Sequence, residues 1–160
     1  MAEDLAEFEQ WLGRILAGMD PGRRRRATVK LGQELRRANL MRISANAEPD
    51  GGAMEKRKAS VNERGRVRRQ AGSRMFRRLR LAKAWKVAAD EDGVEITPAS
   101  AAIDRIAAVH HFGETDRVGR LRDGRTVRAK YVERRLLGFA DADRLIVMET
   151  AASFLDPDAG

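Results

Sequence analysis

The 160-residue chain contains no cysteine, which excludes disulfides, thiolate catalysis and cysteine-ligated metals at once. The same absence fits a reducing compartment. Aromatic residues make up only 5%, so a core must rest on Leu, Ile, Val, Ala and Met. No stretch approaches the roughly 20 apolar residues needed to cross a bilayer. The opening Met1-Ala2-Glu3-Asp4-Leu5 is acidic where a secretory signal would be basic. These features lead to the expectation of a soluble protein made in a cytoplasm, with no membrane partner. No internal repeat is visible.

Chemical motifs are equally scarce. His110-His111 is the only histidine pair. Adjacent helical residues point about 100° apart, so the two rings are poor joint ligands; a zinc pair wants the i, i+4 spacing of His-Glu-x-x-His. Histidine does suit a helix C-terminus, where a cation meets the negative end of the dipole. The glycines from Gly113 to Gly124 lack the Gly-x-Gly-x-x-Gly spacing, and no Walker sequence occurs. No Ser/His/Asp triad can be assigned, and no zinc finger, RNP or helix-turn-helix pattern is present. The residues therefore indicate no catalytic group, no cofactor and no metal site.

Charge is what the chain has in excess. The net charge of +8 is unevenly spread: residues 21–86 hold 21 Lys and Arg against 5 Asp and Glu, and the remainder holds 11 against 19. A dipolar chain of this kind attracts a polyanion, or the acidic face of another copy as in head-to-tail rings. The candidate contacts, facing either a subunit or DNA, are Arg23, Arg24, Arg25, Arg26, Lys56, Arg57, Lys58, Arg68 and Arg69. Arginine clusters grip phosphates bidentately. A single-strand binder also offers exposed stacking rings, whereas Phe76 and Trp85, the aromatics within the tract, read as core.

Hydrophobic spacing predicts an α+β class within a single domain, residues 1–160: a helical hairpin (1–45), a long basic, flexible loop (46–72), an α+β core with a small, mainly antiparallel sheet and a C-terminal helix (73–155), and a tail (156–160). Leu5, Phe8, Leu12, Ile15, Leu16 and Met19 form one apolar stripe. Asp20-Pro21 opens the second helix as N-cap and first residue. Its inner face reads as Ala27, Leu31, Leu35, Ala38, Met41 and Ile43, and the short link predicts antiparallel packing on the first helix. Glu48-Pro49-Asp50-Gly51-Gly52 is a turn. The long loop after it is expected to be mobile alone and ordered against a neighbour.

Further along, Ser73 is placed to cap a short helix to about Ala82. Trp85–Ala89 and Val94–Thr97 read as strands around an Asp90–Gly93 turn. Ser100 caps a helix over 101–111 with Ile103, Ile106, Ala107 and His110 on one face, and Gly113 suits the left-handed position that follows. A second hairpin is expected within Leu121–Val132, turning at Asp123-Gly124. Asp141 caps a last helix to about Phe154, with Leu145, Ile146, Met148, Glu149 and Ala152 giving it a partly apolar surface.

Several separated segments agree with one known family. Leu-Arg-Arg-Ala-Asn (35–39) lies in the second helix, and the Pro-Asp-Gly turn follows at 49–51. Met75-Phe76-Arg77-Arg78-Leu79-Arg80 is similar to a Met-Phe-x-x-Leu-Arg element. Ile106 to Gly113 is similar to an Ile-Ala-x-Val-His-x-Phe/Tyr-Gly pattern, and Tyr131 to Arg144 to a Tyr-Pro-x-Arg-Pro-Leu-Leu-Gly-x-x-x-x-Asp block. From about residue 5 to residue 155 the chain resembles the phage virion morphogenesis, or tail completion, proteins of Mu-like and other contractile-tailed phages and prophages. It departs from them at Val132 and Arg135, where proline is common, and at Met54, near where a Trp often follows the turn.

The resemblance implies a non-enzymatic structural protein of the virion, located at the tail or neck after assembly in the host cytoplasm. It would finish the head-proximal end of the tail and support head–tail joining. Its partners would be further copies in a homo-oligomeric ring, expected to be a hexamer, together with tail tube or terminator and head–tail connector proteins. Transient DNA contact through the basic tract is the alternative. On this reading His110, His111, Phe112, Gly113, Tyr131, Arg134, Leu136, Leu137 and Gly138 set the fold or an interface.

Overall fold

The structure, a computed structural model, describes residues 2–56, 75–90 and 93–155. The chain order there is α1 (Ala2–Ala17), α2 (Pro21–Ala45), a 3-10 turn (Ala82–Ala84), β1 (Trp85–Ala89), β2 (Val94–Pro98), α3 (Ala101–His111), β3 (Thr115–Arg120), β4 (Thr126–Lys130) and α4 (Asp141–Leu155). The class is α+β, with an N-terminal helix pair and a C-terminal helix. The strands form two separate antiparallel hairpins, β1–β2 and β3–β4. No described helix is long and apolar enough to cross a membrane.

Helix α2 is the organising element. Asp20 caps it, its carboxylate accepting from the Gly22 and Arg23 amides at 3.0 and 3.2 Å, and Asn46 ends it in the left-handed conformation (φ 55°). Its most extensive contacts are with α4 and the β1–β2 hairpin, not with α1. The helix pair forms, but the face expected to meet α1 looks elsewhere. Ala27, Leu31 and Ile43 are buried as expected, Leu35 and Ala38 are half-buried, and Met41 is 67% exposed. Gly32 lies where α2 crosses the hairpin. A Cβ there would fall 2.5 Å from Val87 Cγ1 and 2.7 Å from Val94 Cγ1. Gly32→Ala gains about 1 kcal/mol of helix propensity but overpacks this contact by about 1–3 kcal/mol. A net loss of about 1 kcal/mol is expected in urea unfolding; a gain would mean that helix and hairpin stand apart in solution.

The core gathers Ile43, Met54, Met75, Phe76, Leu79, Ala84, Trp85, Ala107 and Leu136. Phe76 and Trp85 are thus buried, as their place among charged residues suggested. The helix expected over 73–82 does not form in its described part: residues 77–80 make a turn, followed by the 3-10 turn. Phe76 sits at φ 57°, outside the helical region, which costs about 1–2 kcal/mol. That conformation puts its ring in the core, and burying a Phe side chain returns about 1.5–3 kcal/mol. The indole N–H of Trp85 then donates to the Leu79 carbonyl at 2.6 Å. Ser73, the expected cap, lies outside the described residues.

The second hairpin begins earlier than its sequence pattern indicated. Its first strand is Thr115–Arg120, ahead of Leu121, and a register shift lies between Arg117 and Gly119. The charged, glycine-containing run hides the period-2 signal. In α3, Ala107 and Val109 are buried while Ile106 is 38% exposed. Of the residues expected on the α4 surface, Leu145, Met148, Glu149 and Ala152 are exposed and Ile146 is half-buried.

Candidate functional site

The residues singled out between 110 and 138 converge at one corner. Helix α3 ends there with both histidines in its last turn. Phe112 closes the helix by donating to the Ala108 carbonyl, and Glu114 N–H reaches the Val109 carbonyl at 3.0 Å, the long bond of a Schellman ending. This geometry requires Gly113 at φ 64°. The extended segment 131–140 then runs past the helix end. Its backbone N–H groups are satisfied one after another: Tyr131 by the Glu114 carbonyl, Arg134 by the His110 carbonyl, Leu136 by His111 Nδ1 and Gly138 by Asn39 Oδ1. Leu136 is buried in the core and Leu137 packs against it. The His110 ring lies edge-on between Phe76 and Tyr131, with centroids 5.0 and 5.1 Å away.

The Pro-Asp-Gly turn closes the other side. Glu48 and Gly52 pair, as do Met54 N–H and the Asn46 carbonyl. A Cβ on Gly138 would fall 2.5 Å from Pro49 Cγ, so the turn lies directly against it. Residues 46–56 are therefore tied down, unlike the mobile loop expected from 46 onward; the expectation for 57–72 lies outside the described residues. Met54 is buried. Arg135 pairs with Glu48 at 3.0 Å and with Asp50. The Gly52 amide, and after it Arg135, hold the Asp50 carboxyl below its usual range. Buried Arg134 donates from Nε to the Glu55 carbonyl at 2.7 Å and from Nη2 to the Lys56 carbonyl at 3.4 Å.

Beneath the corner lies a clasp that sequence reading missed. Arg42 grips Asp143 bidentately at 2.8 and 2.9 Å and also donates to the Gly138 carbonyl. Asp143 is 1% exposed and accepts from the Ala140 amide. It, rather than the expected Asp141, makes the bond back across the first turn of α4, as the third residue of a capping box does. One signal was present: the last Asp of the Tyr131–Arg144 pattern is Asp143. Asn39, which caps the Gly138 amide, closes the Leu-Arg-Arg-Ala-Asn run.

His111 supplies a pH-dependent element. Burial pushes its pKa down; Glu133 opposes this, Arg135 adds to it and Glu48 opposes it. Because Nδ1 accepts from Leu136 N–H at 3.2 Å, the folded ring is neutral with its proton on Nε2. A folded pKa below the unfolded value of about 6.5 means stability that is present above that value and lost as pH falls below it. Between pH 7.5 and pH 5 the wild type should lose more unfolding free energy than His111→Asn, whose carbonyl keeps the acceptor without titrating. Equal losses in urea titrations would remove His111 from this role.

The described basic candidates do not meet. Arg23–Arg26 lie in and just after the first turn of α2, with Arg25 and Arg26 exposed, while exposed Lys56 follows the helix's far end. At 1.5 Å per residue, roughly 30 Å of helix separates Arg26 from Asn46. Arg57, Lys58, Arg68 and Arg69 lie outside the described residues. Phe112, 67% exposed, stacks edge-on with His111 at 4.7 Å. Among the described residues, no group of three or more acidic, histidine or cysteine side chains is placed to hold a metal. The corner's polar groups satisfy backbone and fasten three loops together.

The chain is similar to tail completion protein S of Escherichia phage P2, 28% identical over 155 residues that cover 96% of this chain and 98% of that protein. No solved structure matches it. Residues 3–156 match the model of the phage virion morphogenesis family, and the chain belongs to that family.

Proposed function

We propose that this protein completes the head-proximal end of a phage tail as a subunit of a homo-oligomeric ring, and supports joining to the head. The observation that carries this reading is the outward face of α4. Leu145 is 62% exposed and Met148 49%, with Phe139, 40% exposed, just before the helix. Their helix packs its other face, with Val147, Thr150 and Ala151, inward. Apolar side chains grouped on an outer face mark protein contacts. Family membership supports a place in the virion; the neighbours proposed here are tail tube or terminator proteins and head–tail connector proteins. The chain acts as one domain with no enzymatic role, its polar corner serving the fold.

The test is reconstitution. Tails assembled without this protein are mixed with the purified protein and imaged by electron cryomicroscopy. A ring at the head-proximal end, and tails that then accept heads, is the expected result. Unchanged tails, with strong salt-sensitive capture of DNA instead, would replace this reading by the DNA-binding one.

A further inference from the structure

The β3–β4 hairpin stands apart from the rest of the described fold. Its extensive contacts are all between its own strands. It is fastened near its base, where Arg105 pairs with Asp116 and Tyr131 N–H reaches the Glu114 carbonyl. Residues 115–130 carry six Lys and Arg against two Asp. Arg117 and Arg128 are register partners across the two strands. Both are exposed, and neither makes a salt bridge with a described carboxylate. Arg128 only adds to the field on Asp116, whose main partner is Arg105. Like charges placed directly opposite on a ribbon are unfavourable. An anionic surface laid over them removes that cost.

The ribbon is not purely cationic. Val118 and Leu121 are each 49% exposed and Val127 36%. A phosphate backbone offers nothing to these side chains, whereas a surface that mixes carboxylates with apolar groups does. Helix α1 is such a surface. It holds four acidic residues against one Arg, with Glu7 and Glu9 exposed. Phe8, Trp11 and Leu12 are only half-buried, Phe8 and Trp11 stacking on one another at 5.8 Å. Helix α1 has no extensive contact with another described element; its ring contact is Phe8 with Phe139 at 6.5 Å. The lengths also agree: six strand residues span about 20 Å and sixteen helical residues about 24 Å.

We infer that the β3–β4 hairpin of one copy docks on helix α1 of the next, with Arg117 and Arg128 meeting its carboxylates. The inference rests on the ring reading above. Because the two patches differ, the contact is heterologous and propagates head to tail until it closes.

The test uses the full chain in sedimentation velocity at about 50 and 500 mM salt. Arg117→Glu/Arg128→Glu should raise the self-association constant for dissociation at least tenfold at low salt, and Glu7→Lys/Glu9→Lys should do the same. High salt should narrow both differences, because the Debye length falls below about 5 Å. Mixing the two variants sets Arg against Glu at one pairing and Glu against Lys at the other, so both junctions are complementary again and species larger than dimers should reappear. Circular dichroism on each variant checks folding, and renewed assembly in the mixture would show both competent. Wild type that stays monomeric at all concentrations defeats the ring reading and this contact together. Wild type that assembles while both variants assemble equally well defeats the contact alone. Loss of DNA affinity in Arg117→Glu/Arg128→Glu, with assembly unchanged, makes the hairpin a DNA arm and also overturns it.

Discussion

Replacing Asp143 with alanine is expected to lower the unfolding free energy by about 3–5 kcal/mol, because it strands a guanidinium taken largely out of water. Arg42 has 16% of its side-chain surface exposed and Asp143 1%. Asp143 also anchors the Ala140 amide, so the same change loosens the first turn of α4. Asp143→Asn keeps an acceptor but not the charge and should fall between the two. The size of the effect reflects removal of one partner, not the net worth of the pair. An apolar replacement of both, Arg42→Met with Asp143→Leu, should recover much of the loss. Urea unfolding of the four proteins decides this. A loss under about 1 kcal/mol for Asp143→Ala would show that water reaches Arg42 when its partner is gone.

Gly113→Ala should cost about 2–5 kcal/mol. One part is conformational, since a non-glycine residue at φ 64° pays about 1–2 kcal/mol. The other part is steric: a Cβ there would stand 2.8 Å from Glu133 N and 3.1 Å from Glu133 Cα, both backbone atoms that cannot rotate aside. Overpacking of that kind costs about 1–3 kcal/mol. Gly124 separates the parts. It has φ 85° with open space around the Cβ position, so Gly124→Ala should show only the conformational loss. If thermal unfolding gives equal losses at the two sites, the 131–134 segment does not lie against the end of α3 in solution.

Much of the element order was legible. Asp20-Pro21, Ser100 and Gly113 are local signals, because caps and left-handed closures depend on residues a few positions away. The α3 span and the first hairpin follow from the same short-range chemistry. Where sequence reading failed, a distant contact had outweighed the local pattern. Met75–Leu79 has helical spacing, yet Phe76 turns into the left-handed region so that its ring can meet His110 and the core. Met41 fits the apolar face of α2 by spacing but points to water, since α2 crosses the β1–β2 hairpin at Gly32. The strand Thr115–Arg120 was hidden by its charges, which are unusual for a strand that packs and expected for a ribbon that does not.

The candidate corner divides in the same way. His110, His111, Gly113 and the Tyr131–Gly138 segment could be named from order and spacing, and the structure brings them together. Their roles were not legible. Arg134 and Arg135 are adjacent in sequence, yet one is buried against carbonyls of residues 55 and 56 and the other reaches Glu48 and Asp50. The Arg42–Asp143 clasp joins residues 101 apart, and nothing local to either predicts the other.

By itself, the sequence determined that no thiol is present, that cationic charge is concentrated in one part, and where most helices and turns begin. These depend on composition and on interactions within a turn or two. Only the tertiary structure decided which arginines are buried, which apolar residues face outward, and that the Arg23–Arg26 run and Lys56 lie at opposite ends of one helix. Burial and long-range pairing are set by how elements cross in space, and a one-dimensional pattern does not carry the crossing.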